Sequence, residues 1–474
     1  MTSDDPFACA DAHLTATVTA NGWRGEPADG TFAATAPKWG IGPVESPVRP
    51  LAPTAVNPWD WRDGSVGWGL VLADTGIGSS ADRAAARDAP ETLQTLVAAR
   101  GPAPVLRWHP DTPEVLLRYY PGFADPERIP IGGSSRGIGP GAIPTFLMLW
   151  GSLADLPWRL QYRLNLDPRI CVGRLPLTGD ALDRYVACEL GPWSVTTPAQ
   201  ATALIWATDH APGDITRMMR MVVADQVHDR YAADTDIAVT YLTGADATGA
   251  ALAGGLAQHA PDVVITTSHG FTGPTGGADL ERIGWLVDAG HRETDPARIL
   301  GSWKPAGAIW YAHACCGAGT VAPSEFTGLF TKGSRLDRMI TEIAATGDVV
   351  APFPMALLSA AQPLRAFVGH VEPTYDWTLY DGQSRHALTA DLVDGLYTQL
   401  MLGRPIGWTM KAYHQAAGAA AAVQDQARTD VLTGKTDVDA TLRPRLCYLD
   451  RRALVILGDP VAAIPSTAHG TTLT

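Results

Sequence analysis

Residues 263–270 read VVITTSHG, and residues 308–319 read AIWYAHACCGAG. Each is an apolar run of strand length that stops at a reactive residue set among small ones. The first delivers His269 and then Gly270; the second delivers Cys315, followed by Cys316 and Gly317. Runs this continuously apolar predict strands covered on both faces, as in a parallel sheet. In such sheets, reactive groups gather beyond the carboxyl ends of the strands. Two neighbouring strands would then carry an imidazole and a thiol, 46 residues apart (315 − 269), to one mouth open to solvent. A thiol attacks a carbonyl only as thiolate, so it needs a base beside it. That makes Cys315 the candidate nucleophile and His269 the group that takes its proton and later gives it to a leaving amine. Gly270 and Gly317 leave room for a substrate backbone.

Outward from these blocks, the pattern is strand alternating with helix. Strands are expected near 67–73, 103–107, 146–150, 202–209, 237–242, 263–268, 307–313, 348–353 and 453–457. Helices are expected near 80–100, 214–231, 247–259, 335–346, 385–402 and 408–425. Strands spaced by helices imply right-handed crossovers, hence an α/β fold with mainly parallel sheets and helices on both faces. The expected divisions are an N-terminal extension at 1–60, a smaller α/β subdomain at 61–200, a catalytic subdomain at 201–465 and a tail at 466–474. Residues 1–60 are rich in Pro, Gly, Ala and Thr and read as loops and short strands packed over the main body.

The 474 residues are 46% apolar and 18% charged, the balance of a chain that folds. A net charge of −13 speaks against non-specific nucleic-acid binding, which needs Lys and Arg to neutralise phosphates. No apolar stretch approaches the roughly 20 residues that cross a bilayer. The start, MTSDDPFACADAH, lacks the basic and apolar regions of a secretory signal, so a cytoplasmic location is the expectation. Six cysteines in so long a chain are not a disulfide framework; Cys9, Cys171, Cys188 and Cys447 read as small apolar fillers. Arg outnumbers Lys 31 to 5, which with abundant Ala, Gly and Pro suggests a GC-rich bacterial source.

The two blocks resemble the caspase–gingipain superfamily (clan CD) of cysteine peptidases, whose signature is a strand ending in His-Gly followed by a strand ending in Ala-Cys. The caspase pattern Q-A-C-x-G appears here as His313-Ala314-Cys315-Cys316-Gly317, with His in place of Gln. The run 144–175, ending in VGRL, is similar to the gingipain segment before its Val-Gly-Arg strand, and LVILGDP (454–460) to that family's closing segment. The resemblance spans roughly 61–465. It implies a gingipain-like unit of two stacked α/β subdomains, and Cys315 rather than Cys316 as nucleophile. It implies that the Gly270 and Cys315 N–H groups hold the oxyanion. It also implies a carboxylate, placed before the His block, that orients His269. WATDHAPGD (206–214) offers Asp209, His210 and Asp214. Asp209 sits at a strand end, Asp214 fits the N-cap of the next helix equally well, and His210 reads as an exposed loop residue. Both carboxylates stay open.

The function this implies is an intracellular bacterial cysteine endopeptidase acting on protein or peptide substrates, regulated by a partner, by processing or by linkage to a defence system. No cofactor, metal, nucleic acid or membrane is expected. His313, Cys315 and Cys316 invite a zinc reading, but close ligands need a turn between them and a second pair elsewhere. His313 fits strand packing, and Cys316 a turn anchored in the core. Asp225, Glu325 and Asp376 are carboxylates available for a pocket, each also explained as surface charge. The alternatives are a catalytically silent caspase-like scaffold and another thiol acyl-transfer enzyme.

Overall fold

The computed structural model describes residues 17–23, 27–36, 39, 57–193, 200–272, 280–381 and 384–465. Cys9 and the expected tail at 466–474 lie outside them. Its strands are β1 (Thr17–Trp23), β2 (Pro27–Thr31), β3 (Trp68–Ala73), β4 (Val105–Trp108), β5 (Val115–Arg118), β6 (Glu127–Pro130), β7 (Phe146–Leu149) and β8 (Cys171–Arg174). They continue with β9 (Ala201–Ala207), β10 (Ile237–Thr243), β11 (Val263–Thr267), β12 (Gly270–Phe271), β13 (Ile309–His313), β14 (Ala366–His370) and β15 (Leu454–Gly458). Two-residue strands elsewhere are named by their residues.

Twelve of these form one sheet, ordered β10-β9-β11-β13-β14-β15-β8-β7-β3-β4-β5-β6. The fold is therefore the mixed, mainly parallel α/β class that the apolar runs imply. The five strands from β10 to β14 are mutually parallel. β15 pairs antiparallel with β14 but parallel with β8, and β8, β7, β3 and β4 continue parallel. The two halves expected from sequence thus share a single sheet, joined where β8 pairs with β15, and strand direction reverses between β14 and β15.

Why the runs are apolar throughout is visible in the packing. On one face Leu204, Trp206, Val264 and Trp310 meet Leu252 and Leu256 of the helix Gly249–His259, with Ile299 and Phe353. On the other, Ile205, Ile265, Tyr311 and Val368 meet Ile215, Met218 and Val227, with Leu396 and Ile406. Alternate residues of each strand are buried on opposite faces. The "VGR" and closing segments meet directly. A Cβ on Gly173 would lie 2.3 Å from the Gly458 carbonyl oxygen, so only glycine admits that crossing. Beyond the turn, Asp459 accepts from Trp68 Nε1 (3.0 Å) and Arg100 (2.7 Å), tying the last strand to the first half.

One expected element is corrected, and one element had not been foreseen. Residues 348–353 do not form a sheet strand: Val349–Val350 pairs only with Gly319–Thr320, and Pro352–Leu358 is a helix that Pro352 opens from its first position. The helix Leu442–Arg452 was not expected; its Arg445, Asp450, Arg451 and Arg452 are buried, so its polarity hides its burial. Among the described residues no helix is long and apolar enough to cross a membrane.

Candidate active site

Sequence order and sheet order diverge between β9 and β11. The chain leaves β9 for the edge strand β10, then returns past β9 to β11. Such a switch opens a crevice at the carboxyl ends of the flanking strands. Four successive loops reach that rim: 208–214 after β9, 268–270 after β11, 314–317 after β13 and 371–376 after β14.

The first two loops meet in a charged hydrogen bond. His269 Nε2 lies 3.0 Å from Asp214 Oδ2, with both side chains buried. The other carboxylate oxygen, Oδ1, accepts from the Thr216 amide (2.8 Å) and hydroxyl (2.6 Å), capping the helix Ile215–Met219. Asp214 is therefore both the N-cap and the partner of His269, one oxygen for each. Burial alone would raise its pKa, but the His269 charge and these hydrogen bonds hold it well below the usual carboxylate range. Because a carboxylate only accepts, Nε2 carries the proton, and Nδ1 is the basic nitrogen of the neutral ring. Asp209 is not brought here; it pairs with Arg220 at 3.2 Å. His210 is not an exposed loop residue. It is half-buried, stacks on His269 with centroids 5.1 Å apart, and bonds through Nε2 to the Asp288 carbonyl. Burial, then the His269 charge, push its pKa down to about 4, so it stays neutral.

β11 and β13 pair in register from Val263↔Ile309 to Thr267↔His313, so His269 and Cys315 each lie two residues past the last pair. The loops touch where Gly270 meets the Cys315 backbone: a Cβ there would be 1.9 Å from the Cys315 carbonyl oxygen. The Cys315 N–H has no acceptor among the described residues, leaving it free for an oxyanion. Its sulfur rests on Thr374, accepting from that amide at 3.3 Å. Burial, then Cys316, push the Cys315 thiol well above the usual range, with the Thr374 amide pulling the other way. The thiol is thus held protonated in this closed state, and removing its proton requires a base.

The expected mouth is not open. Cys315 and His269 are each 0% exposed. Nor does Gly317 leave substrate room: it is buried, and its N–H bonds the Ala314 carbonyl at 3.3 Å in the turn after the cysteines. Cys316 takes φ +55° and sinks into the cluster of Phe326, Leu336 and Tyr375, with its amide on the Glu372 carbonyl. His313 Nδ1 and the Tyr311 hydroxyl share a hydrogen bond of 2.8 Å, and the ring is packed in the sheet, where burial pushes its pKa down to about 3. Among the described residues, the groups close enough to share a metal ion are instead His210, Asp214 and His269.

The three pocket carboxylates separate clearly. Asp225 pairs with Arg220 at 2.8 Å, and Glu325 pairs with Arg159 (3.2 Å) and Arg452 (3.1 Å). Asp376 is 5% exposed, stands two residues from Thr374, and has no ion pair among the described residues. Burial raises its pKa to about 7. Sequence reasoning missed Thr374 as the seat of the sulfur. The rim rule itself was the available signal, since it names the loop after every parallel strand, including β14.

No known protein-family model and no curated protein matches this chain. Among solved structures, the Saccharomyces cerevisiae separase–securin complex aligns over 67% of this chain and 15% of that chain, at 12% identity and a TM-score of 0.34. A likeness that distant carries no argument for what the site does.

Proposed function

We propose that this chain is a caspase-like cysteine endopeptidase. The observation that carries the reading is the rim itself: a buried His269–Asp214 pair bridging the ends of β11 and β9, and Cys315 beyond β13, touching the His269 loop through Gly270. Cys315 gives its proton to His269 Nδ1, and the sulfur attacks the peptide carbonyl carbon. The oxyanion takes the Cys315 N–H and, as the family resemblance implies, that of Gly270. Collapse breaks the C–N bond, the amine leaves with the proton from His269, and a thioester remains on Cys315. Water, deprotonated by His269, then releases the acid and the thiol. Asp214 holds the ring's tautomer and stabilises its cationic form. His210 excludes water from one ring face.

Asp376 favours a basic residue on the acyl side of the cleaved bond. A carboxylate buried without a cation is costly, and an arriving Arg or Lys would supply the missing partner. The test is covalent labelling by a peptidyl acyloxymethyl ketone carrying Arg, Asp or Leu next to the reactive group, read by intact mass. Labelling favours Arg, is lost in Cys315→Ala and persists in Cys316→Ala. Labelling that survives Cys315→Ala overturns the assignment.

A further inference from the structure

β12 directly follows His269, and its outer edge is not bare. β1 runs parallel along it, with Gly22 opposite Gly270 and Trp23 opposite Phe271. β1 also lies against the helix Ile215–Met219, whose cap is Asp214, and against the turn Asp376–Thr378, just past the seat of the sulfur. One backbone strand thus touches both sides of the rim, and both reactive side chains of that rim are 0% exposed. β2 turns back antiparallel and leads to an anchor. There the Thr331 amide bonds the Thr31 carbonyl at 3.1 Å, Phe32 stacks on Phe330 at 5.9 Å, and Ala36 is buried among Phe326, Leu329 and Leu336. The anchor is packed side chains, whereas the contact at β12 is a two-pair ladder, the part of the clasp easiest to open.

We infer that the β12 edge is the docking rail for an extended polypeptide substrate, and that β1 is the chain's own strand laid on that rail, keeping the site shut until displaced. The inference rests on the peptidase reading and adds how its substrate is held and how the site is regulated. Strand addition suits an endopeptidase, because backbone hydrogen bonds grip any extended sequence while side-chain groups, here the proposed role of Asp376, choose among residues. An edge left uncovered would also invite unwanted pairing. A second polypeptide strand is the partner that would open the site, by taking the place of β1.

Trp23→Pro removes a ladder N–H and fixes φ, while leaving the anchor intact. In the full-length variant, amide exchange at Gly270 and labelling of Cys315 by the Arg probe are expected to rise about tenfold over the parent, the change for loss of roughly one net hydrogen bond. The Phe271 amide, held by the Trp285 carbonyl at 2.8 Å, serves as the unchanged control. A synthetic peptide of residues 17–31, added in excess, should restore protection; a scrambled peptide should not. Phe32→Ala should give a second, independent opening. If neither variant raises exchange at β12, or both do while Cys315 is labelled in the parent and just as fast in the variants, β1 is not the cover and the inference falls. If exchange rises and the peptide restores protection but Cys315 stays unlabelled, docking stands and the peptidase reading fails.

Discussion

Asp214 offers the sharpest test, because its two oxygens do separable work. At 3.0 Å and an effective dielectric near 20, the gross attraction between its carboxylate and an imidazolium is about 5–6 kcal/mol. Both groups are buried, so desolvation offsets part of this, and about 2–4 kcal/mol is a reasonable net for a desolvated charge pair. Asp214→Asn keeps an oxygen for the Thr216 amide, since Asn caps helices about as well as Asp. It removes the charge that stabilises the cationic ring and turns an amide donor toward Nε2, so the tautomer with a basic Nδ1 is lost as well. In the Trp23→Pro background, kcat/KM for an Arg peptide should then fall roughly 30- to 1,000-fold. Asp214→Ala should fall as far and additionally lose about 1 kcal/mol of stability, read from urea midpoints, for the missing cap. If Asp214→Asn keeps the parental kcat/KM while Asp214→Ala loses only stability, Asp214 is a cap and nothing more.

Gly270→Ala would drive a methyl into the Cys315 carbonyl, 1.9 Å away, and should cost about 2–4 kcal/mol in urea unfolding as well as abolish labelling of Cys315. Gly173→Ala, 2.3 Å from the Gly458 oxygen, should cost a similar amount but weaken the join between halves; limited proteolysis would then yield two fragments where the parent yields one. Asp376 holds its proton up to about 7, above its unfolded value, so the stability it lends is full below about pH 4 and lost as pH rises through 7. Asp376→Asn should therefore melt near the parent at pH 4 but roughly 5 °C or more above it at pH 8, and lose preference for the Arg probe. Equal differences at both pH values would mean that Asp376 is ionised in the folded chain.

The strands at the site were legible because VVITT and IWYAH are buried on both faces, which leaves an unbroken apolar signal. The same signal misled at 348–353, since a buried helix such as PFPMALL is also apolar throughout. At Leu442–Arg452 the opposite happened: Arg and Asp side chains are buried within paired networks, and composition alone reads them as surface. Whether Asp209 or Asp214 faces His269 was undecidable in one dimension, because a cap and a partner require the same residue type and only the second oxygen tells them apart. The pairing of Gly22 with Gly270 spans nearly 250 residues and leaves no local pattern for periodicity to detect.

The placement of β15 between β8 and β14 has a consequence for biosynthesis. β8 is finished at Arg174, yet its neighbour begins only at Leu454, 280 residues later (454 − 174). At about 5–20 residues per second, the ribosome needs roughly 14–56 s to make that stretch. Throughout that interval each half carries a naked hydrogen-bonding edge, on β8 and then on β14, of the kind that recruits other chains. A nascent chain arrested before Leu454 should therefore present two sticky borders and call for a chaperone, while the five residues of β15 act as the zip that closes both at once.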